Sequence, residues 1–350
     1  MSAHPAYRGR LAAQIENRAV RVTVLIDGGH IAEVFDKGSG VNPLWTPPWE
    51  PVEPSTFDPA RHRGYGDGID AGLLAGIMGH NLCLDIFGAP SDEEAAAGVP
   101  VHGEASNIRY NADATGSEII LRAHLPRAQL TVERRLELHD RGLRIRESVR
   151  NESGTDKPIG WTQHVTLGPP FLQKGRTEFR ASATRSRVIE STFGAHDYLR
   201  PAADFLWPEA PRIDGGTADL RVYCDADASS AYTAHLMDPG RDTAFFTAFS
   251  PDAQLAFGYV WRRADFPWLG IWEENASRTQ PPWNGRTLTR GMEFGVSPFP
   301  ETRRQMVERG RLFETSTFRW IPAGSRLSVE YWCICRGARA VPETLDWPVS

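Results

Sequence analysis

His164 lies in the run Trp161-Thr162-Gln163-His164-Val165-Thr166-Leu167, and Glu273 and Glu274 close another, Gly270-Ile271-Trp272-Glu273-Glu274. A histidine ordinarily titrates near pH 6.5 and a glutamate near 4.3, so together they can deliver one proton and accept another close to neutrality. Both runs alternate like strands, and successive side chains of a strand face opposite ways. Thr162, His164 and Thr166 then share one face, and Trp161, Gln163 and Val165 the other. In the second run Trp268, Trp272 and Glu274 fall on an open face while Leu269 and Ile271 point inward, which makes Glu274 the base candidate. A bulge at the strand end would put Glu273 in its place. His102, beside Gly103, is a candidate for hydrogen bonding to a substrate, and His80, Asn81, Asp85 and Arg109 are further contact candidates. Glu293, in Met292-Glu293-Phe294, reads as a site carboxylate or as an outward strand residue. Each also has a plain structural reading: a hydrogen-bonded core histidine, a loop histidine facing water, a solvated strand-end carboxylate.

The chain has eleven tryptophans, and Trp261, Trp268, Trp272 and Trp283 fall within one short region together with Arg278 and Asn284. Flat apolar rings with a polar edge suit sugar rings, whose C–H faces are apolar and whose hydroxyls need donors and acceptors. Trp268 and Trp272 are therefore candidate sugar-stacking residues, although the same rings could fill a thick core. The ten histidines show no His-x-His or His-x3-His spacing, and GxGxxG, Walker, GxSxG and HExxH signatures are missing. Neither a metal nor a cofactor is expected.

These residues need strands to position them, and strands dominate the chain. Val20 to Phe35 reads as a hairpin around Asp27-Gly28-Gly29. Period-two segments follow at Glu118 to Leu125, Leu130 to Leu138, Leu143 to Asn151 and Ile159 to Leu167. The texture continues through Leu220 to Cys224, Thr233 to Met237, Ala244 to Phe249, Leu255 to Arg262, Gly270 to Glu274 and Leu327 to Ile334. Asn42 to Pro59, rich in proline and aromatics, reads as an ordered loop lying across something; Ser91 to Gly98 reads as a second loop. Helical periodicity is confined to short pieces such as Pro300 to Arg309. No linker or composition shift divides the chain, so residues 1–350 read as one all-β antiparallel sandwich domain.

Composition sets outer bounds. Hydrophobic residues make up 41% and charged residues 24%, as in a globular protein, and the net charge of −5 arises from 39 basic and 44 acidic residues that are interspersed. No footprint for nucleic acid or an anionic membrane follows, and a small neutral partner is the expectation. The longest apolar run, Ala71 to Met78, is far shorter than the roughly 20 residues that cross a bilayer. Met1 to Arg18 is polar and lacks an export signal's apolar stretch. Four cysteines without CxxC spacing fit reduced thiols in a cytoplasmic protein.

Several segments also stand in a telling order: the hairpin with Asn42-Pro43-Leu44-Trp45, Gly79-His80-Asn81, Val101-His102-Gly103, Trp161 to Leu167, Gly270 to Asn275, and Ile321-Pro322-Ala323-Gly324. In that order and spacing the chain resembles the aldose 1-epimerase (galactose mutarotase) superfamily over most of its length. The resemblance implies a galactose mutarotase-like supersandwich, with a sugar bound by the His102 segment, His164 as the second histidine, and the glutamate closing Gly270 to Glu274 as the catalytic carboxylate. There are departures. Leu82 stands where the mutarotases place an arginine, Glu274-Asn275-Ala276 replaces Glu-x-Gln, and Gly285 to Pro300 reads as an insertion.

Interconverting anomers requires a proton on the ring oxygen while another leaves the anomeric hydroxyl, and closure on the opposite face reverses both. The first reading is accordingly an isomerase using His164 with Glu274 on a sugar. The second is a carbohydrate-binding protein that keeps the cleft and catalyses nothing.

Overall fold

The computed structural model describes residues 6–348; the start of the Met1 to Arg18 segment read above lies outside them. Two large antiparallel sheets face each other, one of twelve strands and one of eight. The five strands that matter for the site are β1 (His80–Asp85), β2 (Lys157–Leu167), β3 (Ser229–Met237), β4 (Trp268–Asn275) and β5 (Leu288–Gly295). They lie side by side at the centre of the larger sheet in the order β1, β2, β5, β4, β3.

Each of these strands is buried on both faces, so hydrophobicity alone does not say which side is which. Alternation does. Trp161, Val165, Leu269, Ile271, Met292 and Phe294 point between the sheets, where Phe294 stacks on Trp261 with ring centroids 4.2 Å apart. The interior also holds a polar knot. Glu147 accepts from Arg134 Nε (2.8 Å), Tyr331 Oη (2.7 Å), Trp161 Nε1 (3.0 Å) and Gln163 Nε2 (2.6 Å), all fully or nearly fully buried. Four donors replace the water that this carboxylate loses on burial.

The opposite face of β1 to β5 carries a second apolar layer containing Trp45, Leu73, Leu74, Ile77, Trp272 and Trp283. The Pro-rich stretch supplies Trp45 and Trp49, which meet Trp283 at centroid distances of 6.1 and 5.2 Å, so the expected crossing loop does lie across the sheet. Helix α1 (Ala71–Gly76) adds Leu73 and Leu74.

Three local readings change. Gly285 to Pro300, read as an insertion, contains the central strand β5, hydrogen-bonded between β2 and β4. Its alternation is masked by Arg290 and Glu293, each of which has a buried partner. Leu220 to Cys224 is not a strand; Asp219 folds back to accept from the Arg221 backbone N–H (2.9 Å) and closes a turn. The Ser91 to Gly98 loop holds helix α2 (Asp92–Ala96), started by a reciprocal Ser91–Glu94 capping box. The Pro300 to Arg309 segment contains helix α3 (Arg303–Arg309), likewise opened by a Thr302–Gln305 box.

Candidate active site

Antiparallel register sets the site out as a row. Asn81, His164, Glu293 and Gly270 are direct partners on β1, β2, β5 and β4, so all four look out from the same side of the sheet. One step along, Trp272 is the partner of Gly291 and of Tyr232. The two glycines make room: a Cβ on Gly291 would collide with the Glu293 carboxylate, and one on Gly270 with the Tyr232 hydroxyl. Above this row opens a cavity of about 310 Å³, at the small end for a ligand pocket. Its polar and ionisable lining is His102, His164, Glu293, Arg278, Asp70 and Gln280, and its walls include Trp272, Trp283, Tyr232, Phe87 and Phe193.

His164 Nε2 lies 3.0 Å from Glu293 Oε1, and Nδ1 lies 3.1 Å from Thr166 Oγ1. Burial acts on both partners against charge. It pushes Glu293 up to about 8, partly opposed by a hydrogen bond with Tyr232, and holds His164 well below the usual imidazole range, with neighbouring His102 adding to the depression. At neutral pH the pair is therefore a carboxylic acid and a neutral imidazole holding one proton between them.

His102 stands beside this pair, its ring centroid 5.2 Å from that of His164, and burial brings it down to about 4. Its Nδ1 is 3.0 Å from Cys83 Sγ. Burial raises the Cys83 thiol well above its ordinary value, so the thiol keeps its hydrogen. We assign that hydrogen to the contact with Nδ1, which puts the ring proton on Nε2 and makes His102 a donor.

The other sequence candidates separate cleanly. Glu274 is on the cavity side of β4, as alternation predicts, yet it does not line the cavity; Oε1 accepts from the backbone N–H of Ser277 (2.7 Å) and Arg278 (2.9 Å). It caps the loop that carries Arg278. Glu273 points between the sheets, bonded to Arg290 (3.0 Å) and Ser229 (2.6 Å), so no bulge exchanges the two. His80 also points inward, to Tyr259 Oη and Gln163 Oε1, each at 2.9 Å. Asp85 is clamped by Arg303, Arg109 is exposed beside Asp27, and Trp268 donates to the Ser316 carbonyl (2.8 Å) away from the cavity. Asn81 is fully buried next to His164, its amide without a partner among the described residues. His102, His164, Trp272 and Glu293 do line the cavity.

Asp70, Tyr232, Gln280 and Arg278 were not among the sequence candidates. Tyr232 was accessible through strand pairing with Trp272, had the register been known; Arg278 and Gln280 sit in an irregular loop where no periodicity marks a direction.

The raised Glu293 value carries a stability signature. A carboxyl whose folded value lies above its unfolded one stabilises the fold fully below the unfolded value near 4.5, and that contribution is lost as pH rises through about 8. Unfolding free energy by urea titration should therefore decline across that window, and Glu293→Gln should flatten the decline. An identical slope in the variant would remove Glu293 as its source.

The family described as domain of unknown function (DUF4432) matches residues 7–280. No curated protein matches the chain. Among solved structures, Slr1438 protein from Synechocystis sp. PCC 6803 is 14% identical, with a TM-score of 0.63 over 96% of this chain and 99% of that one. A galactose mutarotase related enzyme from Lactobacillus acidophilus is 14% identical (TM-score 0.59, 95% and 100% covered). A galactose mutarotase-like protein from Lactobacillus casei is 13% identical (TM-score 0.60, 93% and 100% covered). At these identities the likeness is one of fold.

Proposed function

Given that the chain belongs to the DUF4432 family and has a galactose mutarotase-like β-sandwich, we propose that its cavity binds a monosaccharide and interconverts the anomers by acid–base catalysis, with the His164–Glu293 pair as proton carrier. The observation that carries this reading is the 3.0 Å contact between the His164 imidazole and the Glu293 carboxyl on the wall of an aromatic cavity, where burial disfavours charge on both. A hemiacetal seated against the pair receives the Glu293 proton on its ring oxygen while its anomeric hydroxyl gives a proton to His164 Nε2. The bond between C1 and the ring oxygen breaks, C1 becomes an aldehyde, and rotation about C1–C2 presents its other face. Closure returns both protons, so the pair ends as it began. His102 donates from Nε2 to a sugar oxygen. Trp272 offers its ring face and an indole N–H that has no partner among the described residues.

A second reading, sugar binding without turnover, draws on one observation: His164 and Glu293 already satisfy each other, and Glu274 is engaged by backbone. Polarimetry separates the two. Freshly dissolved pure anomers of neutral monosaccharides should approach optical equilibrium faster with the protein than without it, and the same sugars should shift the fluorescence of the Trp45, Trp49, Trp272 and Trp283 cluster. Fluorescence change without acceleration would leave a binding protein; silence in both assays would dismiss the sugar site.

A further inference from the structure

Among the described residues, Arg278 is the only cation lining the cavity. Its guanidinium carbon lies 4.9 Å from the centre of the Trp283 ring, 5.4 Å from Phe193 and 5.5 Å from Trp272, so three aromatic faces hold it in place. Its Nε is 3.6 Å from Glu274 Oε2, and among the described residues its terminal nitrogens have no hydrogen-bond partner. A planar fork of N–H donors is thus presented, ready-placed, to whatever occupies the cavity.

Such a group invites the reading of an anion receptor, but the surrounding charges argue otherwise. Glu274, fully buried behind Arg278, offsets its charge. Asp70 and Asp197 act on it as well. Asp197 is held by Ser230 Oγ (2.6 Å) and by the backbone N–H of Phe193 and Gly194, whereas Asp70 lines the cavity and its side chain caps nothing. The remaining ionisable lining, His102, His164 and Glu293, adds no positive charge. An anionic group brought to Arg278 meets Asp70 with no second cation to compensate it.

Resting on the sugar-binding reading, we infer that the site selects uncharged, hydroxyl-rich sugars and discriminates against those bearing a carboxylate or phosphate, with Arg278 donating to hydroxyls and Asp70 repelling anions.

The test is a fluorescence or calorimetric titration of the whole chain with D-glucose, D-galactose and other neutral monosaccharides, each matched with its uronic acid and 6-phosphate. Neutral members should bind at least about tenfold more tightly than their anionic counterparts. Asp70→Asn should narrow that gap severalfold, chiefly by tightening the binding of the anionic members, and it removes no helix cap. Arg278→Lys, which keeps the charge and loses the fork, should weaken neutral binding about tenfold with an unchanged dichroism spectrum. A uronate or phosphate binding more tightly than its neutral match would overturn this inference and leave the sugar site standing, as would an unchanged gap in Asp70→Asn. If no member of the panel binds, both readings fall together.

Discussion

Glu293→Gln is expected to slow anomer interconversion by about 10²- to 10⁴-fold, the range typical of removing one positioned acid or base. The amide keeps the shape and can still hydrogen-bond His164 Nε2 across the 3.0 Å contact, but it has no proton to give. Sugar affinity by fluorescence should change far less, so the loss falls on kcat. His164→Asn should cost a similar factor. The wild-type rate should fall as pH rises through about 8, where Glu293 loses its proton, and should fall again in acid as the imidazoles become charged. Two controls locate the chemistry. Glu274→Gln loosens the Ser277–Arg278 loop and should raise KM more than it lowers kcat. If Glu274→Gln instead abolished turnover while Glu293→Gln did not, the assignment of the acid would be wrong.

Glu147→Ala should destabilise the fold by about 3–5 kcal/mol, the usual cost of breaking a buried ion pair from one side. The variant strands the Arg134 guanidinium, fully buried between the sheets, and also orphans donors on Tyr331, Trp161 and Gln163. Chemical denaturation gives the number directly. Replacing both partners with apolar residues, Glu147→Leu with Arg134→Met, should cost less than Glu147→Ala, because no isolated charge remains. A double variant that costs as much as the two single changes added together would mean that the pair does not act as a unit.

Alternation in the sequence placed His164, Thr162 and Thr166 on one face and Trp161, Gln163 and Val165 on the other, and the structure keeps that division. It likewise put Glu274 rather than Glu273 on the cavity side of β4. Facing a cavity is not the same as being available to it, however. Glu274 is taken by two backbone N–H groups from a loop whose path no strand rule predicts. The same limit explains Glu293, named as a candidate but assigned to an insertion. Its strand carries an arginine, a glutamate and two glycines where a central strand is expected to be apolar, and only the pairing of Arg290 with Glu273 and of Glu293 with His164 makes that composition tolerable. His80 reads like a site residue from its neighbours in sequence, yet strand parity opposite Val165 turns it inward.

The row of partners Asn81, His164, Glu293 and Gly270 ties the chemistry of the cavity to the indexing of four strands. Every second residue of these strands belongs to the cavity side and the rest to the filling between the sheets, so the two sets can drift almost independently. Point changes on one set can retune what is bound while the scaffold stays intact. A single-residue deletion inside β5 ahead of Glu293 would do the reverse: it would turn Glu293 inward among the apolar side chains between the sheets, turn Phe294 out toward His164, and forfeit core and chemistry in one step. Such a lineage can therefore diversify by substitution within its central strands and by length changes only in the loops above them.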